Sequence, residues 1–472
     1  MSFSQKGGPN ASPNGGKMKI GFVSLGCPKN QLDTEVMLHE IASKGHEITP
    51  DETEADIVII NTCAFIESAK KESIDNILDI AWLKKHHKLK GLIVTGCMAE
   101  RYGKEILEEF PEVDAVLGVG SIHNICEAVE HVAANAGKKR KKSEPDCRYF
   151  SHEDKDTVRL GGDRILTTPE YTAYLKISEG CDNRCTYCAI PNIRGKFRSR
   201  PMDELIKEAK ELDSLGVREL TVIAQDTTRY GIDLYGEYCL DKLLHRITEE
   251  TNIPWIRVLY CYPDKITDRL IEEMKNNPRI LHYIDLPLQH ISDRILRRMN
   301  RRGKSAEIRE VLAKLRREIP DIVIRTTFIV GFPGETDEDF EELCEFVKEQ
   351  RFARAGVFTY SREEGTPAYD FEDQIDEQVK QDRSDILMQS QMLISDELNN
   401  SKIGSVIDVL CEDYDPVSEY HYGRSAADAP EIDGKVFFKS DERIAPGSFV
   451  KVKVRSVTDY DLCGFAMKDT VK

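Results

Sequence analysis

Three cysteines stand close together in the middle of the chain, as Cys181-Asp-Asn-Arg-Cys185-Thr-Tyr-Cys188. The spacing C-x3-C-x2-C puts three thiols on one short loop. Tight local cysteine spacings hold iron–sulfur clusters, and a four-iron cube normally takes four thiolates. No fourth cysteine lies nearby, so one iron would stay open. An open iron can chelate the amino and carboxylate groups of S-adenosylmethionine. A zinc site would want four ligands in paired Cys or Cys/His spacings, and no histidine is close enough in sequence to complete one. A chance group of buried cysteines is the remaining alternative.

A second set is dispersed. Cys27 follows MKIGFVSLG, Cys63 follows ADIVIINT and Cys97 follows GLIVTG. Each comes just past the end of a strand pattern. In open α/β sheets ligands sit beyond the carboxyl ends of the strands, so three thiols far apart in sequence would share one edge in space. Taken alone, they read as small buried hydrophobes. Their repeated placement, in a chain that already carries a cluster motif, points to a second three-thiol site. The other cysteines (126, 147, 239, 261, 344, 411 and 463) have no ligand spacing and read as packing residues or exposed thiols.

The elements that must position these thiols follow from periodicity. Between residues 18 and 133, β-rich runs (MKIGFVSL, ADIVIINT, GLIVTG, AVLGVG) alternate with amphipathic stretches, which predicts a parallel α/β sheet. From Tyr171 the alternation resumes through TAYLKIS, ELTVIAQD, WIRVLYC, YIDLPLQ, IRTTFIVGF and AGVFTYS. Six β/α units make an incomplete parallel barrel, short of eight. A long helical pattern runs from about Asp376 to Asn400. SVIDVL, KVFFK and FVKVKVRSV then predict a small all-β module. The fold class is therefore α/β. The expected boundaries are a disordered leader over 1–17, an N-terminal sheet domain over 18–133, a linker over 134–166, a barrel core over 167–396 and the β module over 399–467. KKRKK (138–142) reads as solvated linker.

Composition narrows the setting. The 472-residue chain is 40% hydrophobic and 32% charged, and no run approaches the roughly 18 apolar residues of a membrane span. The first residues lack the apolar centre of a secretory signal, so a cytoplasmic protein with no membrane partner is expected. Cytosolic thiols stay reduced, so clustered cysteines there speak for metal or catalysis. The net charge of −17 is unfavourable for gripping a polyanion along a broad surface, so stable RNA binding is not expected.

The C-x3-C-x2-C loop, the strand before it and the six β/α units resemble the radical S-adenosylmethionine superfamily. That resemblance implies that Tyr187, between the second and third cysteines, lies near the adenine of the cofactor; simple packing is its other reading. SLGCPKN, NTCAFIESA and TGCMAE, then EGCDNRCTYCAIPNIRGKFRSRP, then a β module, are similar to the methylthiotransferase family over nearly the whole chain. The β module looks like that family's TRAM domain, and GFPGE (331–335) resembles its barrel motif. One branch of the family modifies an adenosine of tRNA; the other modifies an aspartate of ribosomal protein twelve of the small subunit, at the β-carbon. Gly26-Cys27-Pro28-Lys29-Asn30, DLPLQHIS (285–292), CAIPNIRGK (188–196) and GRSAADAPEIDG (423–434) resemble the second branch.

The resemblance implies two 4Fe–4S clusters, one on Cys181, Cys185 and Cys188 and one on Cys27, Cys63 and Cys97. It implies S-adenosylmethionine as both methyl donor and radical source, an electron donor such as a flavodoxin or ferredoxin, and the ribosomal protein as substrate. Residues 401–472 hold 10 Lys/Arg and 13 Asp/Glu, a net of −3, which suits a basic partner better than RNA. Asp413, Asp415, Glu419 and Asp428 are candidate contacts. Against this, RILRRMNRRGK (294–304) is basic and could touch RNA, or could be a solvated face. A tRNA-modifying enzyme and a non-catalytic iron–sulfur carrier remain as rival readings.

Overall fold

The computed structural model describes residues 17–137 and 147–468. Apart from Lys17, the expected leader lies outside the described residues, as does KKRKK. The chain forms two compact units: residues up to Thr167 with Ile190–Gly195, and Thr168–Ala189 with the chain from Lys196 onward. Among the described residues no helix is long and apolar enough to cross a membrane.

The first unit is built on β1 (Lys19–Ser24), β2 (Glu47–Thr49), β3 (Ile57–Thr62), β4 (Gly91–Gly96), β5 (Ala115–Leu117) and β6 (Tyr149–Ser151). The order is β2-β1-β3-β4-β5-β6 and every pairing is parallel. α1 (Pro28–Ser43), α2 (Glu67–His86), α3 (Cys97–Glu109) and α4 (Ile125–Asn135) provide the crossovers. β3 and β4 are buried at every position, the signature of central strands covered on both faces. Ile20, Met37, Ile59, Ile93, Leu117 and Val129 are core residues here.

Part of the stretch expected as a linker is structured. Tyr149–Ser151 adds the edge strand β6 beside β5, and three residues are too few to show a strand period. Farther on, the Thr167 amide donates to the buried Glu35 carboxylate at 2.8 Å and Arg164 pairs with the same group.

In the second unit β7 (Thr172–Lys176) leads into the short antiparallel pair β8 (Ser178–Glu179) and β9 (Arg198–Ser199). The short helix between them, α5 (Ile190–Arg194), falls in the barrel core by sequence position yet groups with the first unit. β10 (Glu219–Ile223), β11 (Trp255–Val258), β12 (Ile280–Asp285), β13 (Val323–Val330) and β14 (Arg354–Thr359) complete the sheet. Its order is β14-β13-β12-β11-β10-β7, all parallel and open at the ends.

The helices of this unit are α6 (Met202–Ser214), α7 (Ile232–Tyr235), α8 (Leu240–Glu250), α9 (Asp268–Asn276), α10 (Asp293–Arg298), α11 (Ser305–Glu318), α12 (Asp337–Gln350) and α13 (Glu377–Asn400). Side-chain caps mark several starts. Thr336 and Asp339 form a reciprocal capping box on α12, and Asp376 accepts from the Gln378 amide at the start of α13.

β15 (Val406–Asp415), β16 (Tyr420–Ser425), β17 (Val436–Lys439), β18 (Phe449–Thr458) and β19 (Asp461–Ala466) close into a barrel of order β15-β16-β17-β19-β18. Val409, Val436, Phe438, Val450, Val452 and Leu462 fill it. β16 and β19 escape the sequence reading because each carries a glycine inside the strand. A Cβ at Gly423 would stand 2.1 Å from the Leu410 carbonyl oxygen, and one at Gly464 2.3 Å from that of Lys453. Two backbones therefore meet where a β-favouring side chain would otherwise announce a strand.

The small barrel docks on the starts of the large sheet's strands through buried charge. Glu219 of β10 is paired with Arg257 of β11 and with Arg424 of β16, all three essentially solvent-free. Arg354 pairs with Asp428, and Tyr283 donates to Asp433 at 2.6 Å.

Candidate iron–sulfur sites

Cys27, Cys63 and Cys97 follow β1, β3 and β4, which are neighbours in the sheet. Parallel pairing carries all three to the carboxyl ends of adjacent strands. Two glycines allow the strand ends to close up. Gly26 has φ +90°, and a Cβ there would come within 2.9 and 3.0 Å of the Cys63 Cβ and Sγ. Gly96 has φ +92°, and its Cβ would meet the Asn61 side chain at 2.2 Å and the Thr62 carbonyl at 2.6 Å. Both positions combine left-handed backbone with close approach, so glycine is required twice over.

Cys63 and Cys97 are buried soft donors, and Cys27 is partly exposed. Burial raises the Cys63 thiol and pushes Cys97 up to about 12; at Cys97, Arg194 pulls the other way, while nearby Cys27 and Cys63 add to the rise. The free Cys63 and Cys97 thiols are thus held neutral, and a bound metal would draw off their protons. Among the described residues, no three His, Cys, Asp or Glu side chains converge on a single metal ion.

The second set lies on the loop after β8. Gly180 has φ +75° and turns the chain into Cys181. The loop is held on several sides. The Thr186 amide donates to the Met299 carbonyl at 3.0 Å and its hydroxyl to the Arg298 carbonyl at 2.8 Å. Asn300 donates to the Arg184 carbonyl at 2.8 Å, and the Ala368 amide to the Thr186 carbonyl at 2.9 Å. Asn183 is bound to the buried Asp226, which follows β10. Thus Arg298, Met299 and Asn300 of RILRRMNRRGK clamp the cysteine loop, while Arg297, Arg302 and Lys304 of the same run are exposed, as a solvated face would be.

Its Arg301 goes further. The guanidinium lies 4.3 Å from the centre of the Tyr262 ring and donates to the Tyr187 hydroxyl at 3.2 Å and the Pro287 carbonyl at 2.6 Å. The Tyr262 hydroxyl is 3.9 Å from Cys185 Sγ. Tyr187 packs edge-on against Phe332 at 6.5 Å, beside Met299 and Ala368. Phe332 belongs to GFPGE, whose Glu335 carboxylate accepts from the Gly331 amide at 3.0 Å and binds Arg383.

All thirteen cysteines are free thiols. Cys126, Cys239, Cys261 and Cys411 are buried, Cys147 is exposed, and Cys344 and Cys463 are intermediate. Of the acidic residues considered for docking, Asp413 and Glu419 are exposed and Asp415 caps its own turn through Ser418. Asp428 is 2% exposed and spent on Arg354 and Ser425, so it cannot face a partner.

Sequence reasoning did not single out Asn30, Arg194, Tyr262 or Arg301. Asn30 and Arg194 sat inside the quoted GCPKN and IPNIRGK runs. Their signal was a polar residue next to a ligand motif, which needs the fold to give it a role.

Three family models match the chain: Radical SAM superfamily over residues 175–347, Uncharacterized protein family UPF0004 over 19–118, and TRAM domain over 403–467. Among solved structures, the radical S-adenosylmethionine methyltransferase TsrM from Kitasatospora setae, with cobalamin and a 4Fe–4S cluster bound, aligns with a TM-score of 0.53 and 13% identity. The alignment covers 82% of this chain and 79% of that one, and shows the fold alone. A curated relative named ribosomal protein uS12 methylthiotransferase RimO, from Desulforamulus reducens, is 53% identical over 94% of this chain and 98% of its own. Relatives of the same name from Thermoanaerobacter sp. and Clostridium botulinum are 50% and 48% identical, covering 94% and 97% of this chain and 99% and 100% of theirs. At such identity across so nearly the whole length, the chain belongs to the RimO family of ribosomal protein uS12 methylthiotransferases.

Proposed function

We propose that this chain methylthiolates the β-carbon of an aspartate in ribosomal protein uS12, with S-adenosylmethionine as both methyl donor and radical source. The observation that carries the reading is the pair of three-thiol sets, one on adjacent strand ends and one on a clamped loop, in a chain of this family. Cys181, Cys185 and Cys188 would hold one 4Fe–4S cluster and Cys27, Cys63 and Cys97 another. Bound there, the clusters and S-adenosylmethionine supply what no side chain can: an electron for a radical, and sulfur for an unactivated carbon.

The protein's own part is holding and shielding. Arg298, Met299 and Asn300 fix the cysteine loop through the Thr186 hydroxyl and amide and the Arg184 carbonyl. Tyr187 is kept in place by Arg301 and Phe332, a placement compatible with an adenine neighbour as well as with packing. Buried Phe332, Tyr360 and Met299 give Tyr187 an apolar wall, which would keep water from that side of the loop. A low-potential flavodoxin or ferredoxin would deliver the electron. The exposed Asp413 and Glu419, with Asp415, give the TRAM module an acidic face toward a basic substrate, and the protein would act in the cytoplasm without stable RNA binding.

The test is iron content and cofactor cleavage after anaerobic reconstitution. Cys181→Ala with Cys185→Ala and Cys188→Ala should leave about half the wild-type iron and abolish 5′-deoxyadenosine formation. Cys27→Ala, Cys63→Ala or Cys97→Ala should abolish methylthiolation of uS12 while some 5′-deoxyadenosine is still made. Iron that falls to zero in the first variant, or wild-type methylthiolation in the second set, contradicts the two-site reading.

A further inference from the structure

Arg194 ends α5, within the unit that carries Cys27, Cys63 and Cys97. It is 2% exposed, so a full positive charge sits in the interior. The guanidinium pairs with the Asp33 carboxylate. Its second terminal nitrogen donates to Asn30 Oδ1 at 2.9 Å and to Cys97 Sγ at 3.4 Å. Asn30 and Asp33 both lie in the first two turns of α1, just after Cys27.

Asn30 is itself immobilised. Its amide nitrogen donates to the carbonyl of Leu25 at 2.7 Å and reaches those of Asn61 and Thr62 at 3.4 and 3.3 Å. The amide is thereby oriented with its oxygen toward Arg194 and Cys97, the latter 4.0 Å away. The strand ends that carry the thiols therefore aim one acceptor, and that acceptor aims the guanidinium. Replacing a buried ion pair by well-packed apolar residues is often neutral, so the pairing with Asp33 does not by itself account for a buried Arg194. Balancing Asp33 would not require the third partner, the sulfur.

We propose that Arg194 is a positioning residue of the Cys27/Cys63/Cys97 cluster, donating a hydrogen bond to the Cys97 thiolate and thereby setting that cluster's reduction potential. This rests on reading those three cysteines as ligands. Hydrogen bonds to ligand sulfur and local charge tune iron–sulfur potentials. A charged donor favours the more electron-rich state, so Arg194 raises the potential. Asn30 and Asp33 matter because a guanidinium donates along fixed directions; with those two partners in place, its bond to Cys97 is directed.

The experiment uses the full chain bearing Cys181→Ala, Cys185→Ala and Cys188→Ala, so that only the second cluster gives a signal. It is reconstituted anaerobically, and its potential is read by dithionite titration followed by electron paramagnetic resonance. Arg194→Met combined with Asp33→Asn removes the donor while keeping the pair's net charge at zero. The expected result is full iron with a potential shifted downward. Arg194→Lys, which keeps the charge but loses the fork, should fall between that variant and the parent, and it is the variant to read if the double substitution does not fold. An unchanged potential at full iron in the double substitution, or in Arg194→Lys where the double does not fold, overturns the role of Arg194 alone. A parent that holds no iron overturns the ligand reading itself, and the role of Arg194 with it.

Discussion

At the scale of single residues, glycines decide whether three dispersed thiols can act together. The sequence shows Gly26 and Gly96 only as neighbours of Cys27 and Cys97. In the fold each sits at positive φ with a Cβ-sized gap already filled by Cys63 or by Asn61 and Thr62. Gly96→Ala should therefore cost about 1–3 kcal/mol through overpacking and backbone strain. It should also displace Cys97, so that reconstituted iron falls toward half while the Cys181 loop keeps its share. Thermal unfolding and iron analysis measure both; unchanged iron would show that the strand ends need not be this close. The placement of Cys27, Cys63 and Cys97 past neighbouring strands, and of Cys181, Cys185 and Cys188 on one loop, was legible from spacing and strand patterns. Arg194 and Asn30 were not, because a buried polar residue gains meaning only from partners far away in sequence.

At the scale of elements, the basic stretch 294–304 divides its charge between local pairing and solvent. Arg297, Arg302 and Lys304 are exposed, while other arginines of the run are used locally. Arg294 pairs with Asp339, Arg298 with Asp373, and Arg301 with the Tyr187 hydroxyl. Asp339 is held down to about 2: burial would raise it, but Ser292, Arg294 and Thr336 outweigh that. Arg301→Met should reduce 5′-deoxyadenosine formation by an order of magnitude or more, as a loosened catalytic geometry commonly does. Arg302, which is exposed, should tolerate change to Gln. Equal rates for the Arg301 and Arg302 variants would remove the clamp from the mechanism. Strand and helix order in both large sheets was readable from alternating periodicity. The three-residue strands β2 and β6 and the glycine-bearing β16 and β19 were not, because each lacks the length or the side chains that announce a strand.

At the scale of the whole chain, the TRAM barrel is fastened to the large sheet by charges removed from water. Burial alone would raise the Glu219 carboxyl, but Arg424 and Arg257 bring it below its ordinary value. A carboxylate lowered in the folded state contributes stability above its unfolded pKa, and that contribution is lost as the pH falls through the lowered value. Asp428 is lowered likewise: Arg354, Ser425 and Lys402 overcome its burial. Acid should thus weaken this attachment, and Glu219→Gln should flatten the acid side of a stability–pH profile. Removing one partner should be worse, since it strands buried charge. Arg424→Met is expected to cost about 3–5 kcal/mol, read by denaturant unfolding. A cost near zero would mean that the two parts are held by their apolar contacts.

The proposed activity is defined by its target, uS12 and not tRNA. Mass spectrometry of uS12 and of bulk tRNA, from a strain lacking this gene and from the same strain expressing the chain or its Cys97→Ala variant, separates the two. The expected result is a methylthio group on one uS12 aspartate that vanishes in the deletion, returns with the wild-type chain and stays absent with Cys97→Ala, while tRNA is unchanged throughout. An unmodified uS12 in every strain, with tRNA methylthiolation rising and falling with the gene, would contradict it.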